Sequence, residues 1–76
     1  MKNIDPTVLK FSKRLRGLRE EYNLSQEELA ERADISYKNI QYLEAKSPTC
    51  PSLITLNKLA KAFQISLSKL LDFHRK

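Results

Sequence analysis

Apolar side chains recur along this chain at steps of three and four residues, the spacing of one buried stripe on an α-helix. The first stripe follows Asp5-Pro6, a helix-capping residue and then the residue favoured at the first helical position. Its members are Val8, Phe11, Leu15, Leu18 and Tyr22. Asn23 comes next and tolerates the left-handed backbone conformation that commonly ends a helix.

Four serines stand where the later helices are expected to begin: Ser25, Ser36, Ser52 and Ser66. Ser25 and Glu28 have the spacing of a capping box, in which each side chain bonds the backbone N–H of the other residue. The second helix is predicted over about 26–32, and the third over about 36–44. The predicted inward residues of these two helices are Leu29, Ala30, Ile40 and Leu43.

Two prolines within residues 46–51 predict a loop, because proline cannot continue a helix. The predicted apolar residues of the last two helices are Leu53, Leu56, Leu59, Ala60 and Phe63, then Leu67, Leu70 and Leu71. We therefore predict an all-α fold, a compact five-helix bundle forming one domain over residues 1–76.

Composition narrows the class of protein. No apolar run approaches the length of a membrane span, and we expect no cleaved signal peptide. Cys50 is the only cysteine, so no internal disulfide can form, and a cytoplasmic location is expected.

One His and one Cys are too few for a structural zinc site, so no metal is expected. Cys50 and His74 are predicted to be loop and tail residues. The sequence offers no pair of nucleophile and base that suggests catalysis. We therefore expect neither an enzyme nor a cofactor.

The net charge of +5 favours a polyanionic partner, but its distribution is uneven. Residues 1–19 carry six basic side chains and one acidic one, and residues 45–76 carry the same numbers. Residues 20–44 carry seven acidic side chains and two basic ones. The acidic residues must therefore point away from any phosphate backbone. Most basic residues of the first helix are expected to face solvent.

Only three residues, Ala33-Asp34-Ile35, separate the predicted second and third helices. So short a connection makes the two helices cross at a wide angle, as in a helix-turn-helix. Asp34 can adopt the positive φ that the turn requires.

From about Leu15 to Leu71 the chain resembles the phage repressor/Cro-like helix-turn-helix family, often called the XRE family. The matching segments are Leu18-Arg19-Glu20-Glu21, Leu24-Ser25-Gln26-Glu27-Glu28-Leu29-Ala30, Ile35-Ser36, Ile40, Leu43-Glu44, Pro51-Ser52-Leu53, Leu56, Leu59-Ala60-Lys61-Ala62-Phe63 and Ile65-Ser66-Leu67. The family usually has glycine where this chain has Asn23 and Asp34. Phage-type repressors and the small controller proteins of restriction–modification systems both fit the resemblance.

The resemblance implies that the third helix is the recognition helix in a DNA major groove. It implies base reading by Ser36, Tyr37, Lys38 and Tyr42. Lys38 can donate to guanine, and Tyr37 can contact a thymine methyl. Phosphate contacts are expected from Ser25 and Gln26 at the start of the second helix, from Asn39, and from Lys46. It also implies a structural ion pair between Arg19 and Glu44, which would keep Glu44 away from DNA.

The fifth helix and its neighbourhood hold more large apolar side chains than one helix face can bury. We expect these residues to form the interface of a homodimer: Leu67, Leu70, Leu71 and Phe73. A dimer would place two recognition helices about 34–36 Å apart on a pseudo-palindrome. The function expected is a sequence-specific regulator of transcription that binds double-stranded DNA. The alternative is an antitoxin or adaptor whose helices bind a protein partner.

Overall fold

A computed structural model describes residues 4–73, so Lys2 and the residues from His74 to Lys76 lie outside the described range. Within this range the chain forms five α-helices and no strand, which confirms the predicted all-α class. The helices are α1 Pro6–Glu21, α2 Gln26–Ala33, α3 Tyr37–Leu43, α4 Leu53–Ala62 and α5 Leu67–Leu70. None of the described helices is long and apolar enough to cross a membrane.

Every helix begins at a side chain that accepts a hydrogen bond from a backbone N–H of the first turn. Asp5 caps α1, with its carboxylate 2.8 Å from the Thr7 nitrogen. The four predicted serines cap the other helices, with Oγ–N distances of 3.0–3.1 Å. The predicted capping box is also present, since the Ser25 N–H donates to Glu28 Oε1 at 2.8 Å. Each cap stabilises its helix by about 1 kcal/mol.

Three helices end in the same turn, and none of the three turns contains glycine. Asn23, Asp34 and Gln64 have φ of 57°, 60° and 60°. The apolar residue after each one donates its N–H back across the turn, for example Ile35 to the Ala30 carbonyl at 3.0 Å. This is the Schellman pattern, which satisfies the last carbonyls of a helix. The prediction was right for Asn23 and Asp34, whereas Gln64 was not anticipated.

The core is formed by apolar residues from all five helices and from the turn after α1. Those with the largest fully buried side chains are Leu15, Leu29, Ile40, Leu43, Leu59, Phe63 and Leu70. Among helix pairs, α2 packs against α3 and α4, and α4 packs against α5. The buried faces of α2 and α3 therefore lie against the bundle, which leaves their opposite faces in solvent.

Three residues of the predicted apolar stripes lie outside this core, and the first of them, Val8, is half-buried. Leu53, in the first turn of α4, is 69% exposed. Tyr22 is 41% exposed, although its ring packs against Phe63 with the centroids 5.1 Å apart. Ile54, which was not predicted to face the core, is 71% exposed beside Leu53. The start of α4 therefore presents two large apolar side chains to solvent.

Candidate nucleic-acid interface

The α2–turn–α3 corner is held rigidly from both sides. Asp34 adopts the left-handed conformation, with φ 60° and ψ 48°, so the N-cap of α3, Ser36, can follow two residues later. Lys58 of α4 donates from Nζ to the Asp34 carbonyl at 3.2 Å and so stabilises the turn from outside. Ala33 and Ile40 are buried on the two sides of the corner. Two short helices joined in this way form a helix-turn-helix.

The four predicted base-reading residues share the exposed face of α3 and its N-cap. Tyr37 and Tyr42 are 43% and 51% exposed, and Ser36 and Lys38 are also exposed. Ile40 lies on the opposite, fully buried face. The structure therefore brings the four residues together on one surface, and Lys38 supplies its only formal charge.

Ser36 also has a structural role, because its Oγ accepts the Asn39 N–H at 3.0 Å. That bond occupies a lone pair of the hydroxyl and leaves its proton free to donate to a base or a phosphate. Asn39 is half-buried on α3, and Lys46 is exposed in the segment after α3. Both predicted phosphate contacts therefore retain solvent access.

The start of α2 offers backbone donors beside Gln26. The capping box occupies the N–H groups of Ser25 and Glu28, which leaves those of Gln26 and Glu27 without an intrahelical partner. The Gln26 amide nitrogen donates to Glu44 Oε1 at 3.0 Å, and it has a second hydrogen to donate outward. Unpaired N–H groups at the positive end of a helix dipole attract phosphate.

A buried ion pair joins α1 to the end of α3. Arg19 Nε and Nη2 donate to the two carboxylate oxygens of Glu44 at 2.8 and 3.0 Å, and Nη1 donates to the Leu24 carbonyl at 2.8 Å. The Glu44 side chain is 1% exposed and that of Arg19 is 15% exposed. The hydrogen bond to Glu44 raises the pKa of Arg19 above its usual value, so the arginine stays charged. Glu44 thus faces the interior and not the surface of α3.

Two further arginine contacts were not predicted. Arg16 Nη2 donates to the Glu44 carbonyl at 2.7 Å, at the end of α3. Arg14 donates to the carbonyls of Lys69 and Leu70 at 2.8 and 3.2 Å, at the end of α5. The one available signal for Arg16 is that it precedes Arg19 by three residues, which puts both on one side of α1. Nothing in the local sequence indicates the partner of Arg14.

The predicted dimer residues differ in burial. Leu70 is fully buried within the protomer, so its assignment to an interface is wrong. Leu67, Leu71 and Phe73 are half-buried against the core. Large exposed apolar area lies instead at Leu53 and Ile54, which line one open cleft with Leu67.

Known proteins share this arrangement. A family model described as helix-turn-helix, HTH_3, matches residues 15–70. The restriction-modification controller protein C.AhdI from Aeromonas hydrophila is 35% identical, with a TM-score of 0.76 over 83% of this chain and 94% of that one. No curated protein sequence matches the chain.

The regulator SinR is also similar. One matching structure is that of SinR, the master regulator for biofilm formation, in complex with DNA. Its sequence is 31% identical to this chain, and the TM-score is 0.74 over 82% of this chain and 98% of that one. The N-terminal DNA binding domain of SinR from Bacillus subtilis is 29% identical, with a TM-score of 0.76 over 87% of this chain and 96% of that one.

The fold and the α2–turn–α3 corner thus define a helix-turn-helix protein. The chain belongs to the HTH_3 helix-turn-helix family, and it is a DNA-binding transcription regulator of the XRE type.

Proposed function

We propose that this protein is a sequence-specific regulator of transcription that occupies a pseudo-palindromic operator as a dimer, with α3 in the major groove. The observation that carries the proposal is the exposed face of α3, which combines Ser36, Tyr37, Lys38 and Tyr42 with no acidic side chain. Hydroxyl and ammonium groups can bond base edges, and tyrosine rings can contact thymine methyl groups. The protein acts by binding in the cytoplasm and needs no cofactor.

The buried Glu44 supports this proposal. An exposed carboxylate at the end of a recognition helix would repel the DNA backbone, whereas this one is offset by Arg19 and hydrogen-bonded by Gln26. Gln26 thereby connects the start of α2 to the end of α3. A phosphate bound at the start of α2 would therefore fix the angle of α3 in the groove.

The dimer is proposed to form through the α4–α5 patch, which we define as Leu53, Ile54 and Leu67. These side chains line one cleft, and two of them are among the most exposed large apolar groups of the described residues. The protomer measures 34 × 28 × 22 Å. Two protomers placed side by side can therefore separate their recognition helices by the roughly 34–36 Å of one DNA turn.

Titration with DNA tests the function directly. A duplex selected from a random pool and an unrelated duplex of equal length would be titrated at 50 and 200 mM salt. Both affinities should fall steeply with salt, and the selected duplex should bind about 1,000-fold or more tightly. Absence of binding at 50 mM salt would contradict DNA binding and favour a protein-binding adaptor. Equal affinity for the two duplexes would contradict sequence-specific reading.

A further inference from the structure

Three basic side chains line one cleft between α1 and the segment that follows α3. We name it the α1 cleft and define it by Lys13, Arg16 and Lys46, with Ser12 beside them. It has a volume of about 430 Å³, and Leu9 and Ala45 complete its lining. None of these lining residues is acidic. The cleft is therefore suited to an anion.

Arg16 is held in place within this cleft. Its Nη2 atom donates to the Glu44 carbonyl at 2.7 Å, and its Nε atom lies 3.8 Å from Glu44 Oε1. The side chain is nevertheless 55% exposed. A guanidinium has five N–H donors in a fixed plane, so the donors not used for Glu44 remain available to a ligand. An arginine that is already ordered loses less conformational entropy when it binds a phosphate.

Among the described residues, only Arg16 of the three basic side chains has an acidic partner, which is Glu44. Within residues 4–73, Lys13 and Lys46 form no ion pair, and Glu44 is already bonded by Arg19 and Gln26. Like charges around one cleft repel one another and attract polyanions. A bound phosphate would remove that repulsion.

The α1 cleft adjoins the proposed DNA-binding surface. Gln26 and Arg16 both contact Glu44, so the cleft lies next to the start of α2. Lys46 follows the end of α3, two residues after Glu44. A DNA strand whose phosphate lies at the start of α2 would therefore meet Arg16 and the two lysines as its backbone continues.

We infer that the α1 cleft binds phosphodiester groups of the DNA backbone, with Lys13 and Arg16 of α1 acting together with Lys46. This inference rests on the proposed function, and it assigns to α1 a part in DNA binding. It differs from the sequence-based expectation that the basic residues of α1 mostly face solvent. The contacts are made to phosphate, so they contribute affinity and register without base specificity.

The salt dependence of DNA binding tests this inference. The selected duplex would be titrated with wild-type protein, Lys13→Gln, Lys46→Gln and the double variant between 50 and 200 mM salt. Each single variant should flatten the slope of log K against log salt by about 0.9, and the double variant by about twice that amount. A change of 0.9 in slope reduces the salt-induced loss of affinity about 3.5-fold over this range. Lys10→Gln is the matched control, because Lys10 is an exposed lysine of α1 outside the cleft.

Neutral phosphates provide an independent measurement. Methylphosphonates would replace single phosphates, one position at a time, along the duplex. At one or two positions the replacement should weaken DNA binding by the wild type but have no effect on binding by Lys13→Gln. Identical slopes and substitution profiles for Lys13→Gln and Lys10→Gln would overturn the inference while leaving DNA binding intact. A wild type that does not bind the duplex would overturn the proposed function as well. Chemical-shift changes at Lys13 and Arg16 with inorganic phosphate, but with no change in DNA slope, would assign the cleft to free anions and also overturn it.

Discussion

Replacing Arg19 with alanine removes the side chain that anchors the recognition helix to α1. Three hydrogen bonds of 2.8–3.0 Å are lost, two to the Glu44 carboxylate and one to the Leu24 carbonyl. The carboxylate stays 1% exposed in the wild-type geometry. Its remaining partners are Gln26 at 3.0 Å and Arg16 at 3.8 Å. The variant therefore leaves a buried charge that is only partly compensated.

Breaking a buried ion pair on one side costs about 3–5 kcal/mol. A domain of this length is stable by only about 4–11 kcal/mol, so Arg19→Ala should remove a large part of the free energy of unfolding. Urea denaturation followed by circular dichroism at 25 °C measures the loss. Thermal melting measures it independently, because each kcal/mol corresponds to about 4–8 °C in a domain of this size.

Two further variants make the test decisive. Arg32→Ala is the matched control, because Arg32 is exposed in the last turn of α2, and we expect a change within about 0.5 kcal/mol. The double variant Arg19→Met/Glu44→Met should recover much of the lost stability, since it leaves no buried charge. A loss below about 1 kcal/mol for Arg19→Ala, the value of an exposed pair, would refute the argument from burial.

Two other variants test the α1 helix and the dimer. Gly17 lies within α1, and apart from its chain neighbours and the backbone of its own helix no atom lies within 4 Å of where a Cβ would stand. Gly17→Ala should therefore raise the free energy of unfolding by about 0.5–1 kcal/mol. Unchanged or lower stability in urea would contradict this. Leu53→Ser/Ile54→Ser should dissociate the dimer in sedimentation experiments without loss of helix content, because both side chains are exposed in the protomer. Leu9→Ser, which changes an exposed leucine of α1, is the control. Equal dimer dissociation constants for the two variants would contradict the assignment of the dimer interface to the α4–α5 patch.

Features that depend on a few neighbouring residues were predictable from the sequence. The serine caps were correct because a cap bonds an N–H only three residues away, as Ser36 does with Asn39. The left-handed conformation of Asn23 and Asp34 was predicted correctly because their short polar side chains tolerate positive φ. Gln64 was missed because its side chain carries no such signal, although the backbone around it forms the same turn.

Features that depend on distant segments were not predictable from periodicity. Helical spacing places Leu53 and Leu70 on apolar stripes, but it does not indicate which members lie under another helix. One proved exposed and the other fully buried. The Arg16 contact spans 28 residues, and its acceptor is a backbone carbonyl, which leaves no trace in residue type. The α1 cleft follows from that contact and was for this reason visible only in the folded structure.

In the proposed function, α3 reads the bases while the surrounding basic residues hold the DNA backbone. The most direct measurement compares Lys38→Ala and Lys46→Ala on the selected duplex and on its single-base-pair variants. Lys38→Ala should lose about 1–3 kcal/mol on the selected duplex and relax discrimination at one base pair. Lys46→Ala should weaken all duplexes alike and reduce the salt slope by about one. Identical behaviour of the two variants would contradict the division between reading and positioning.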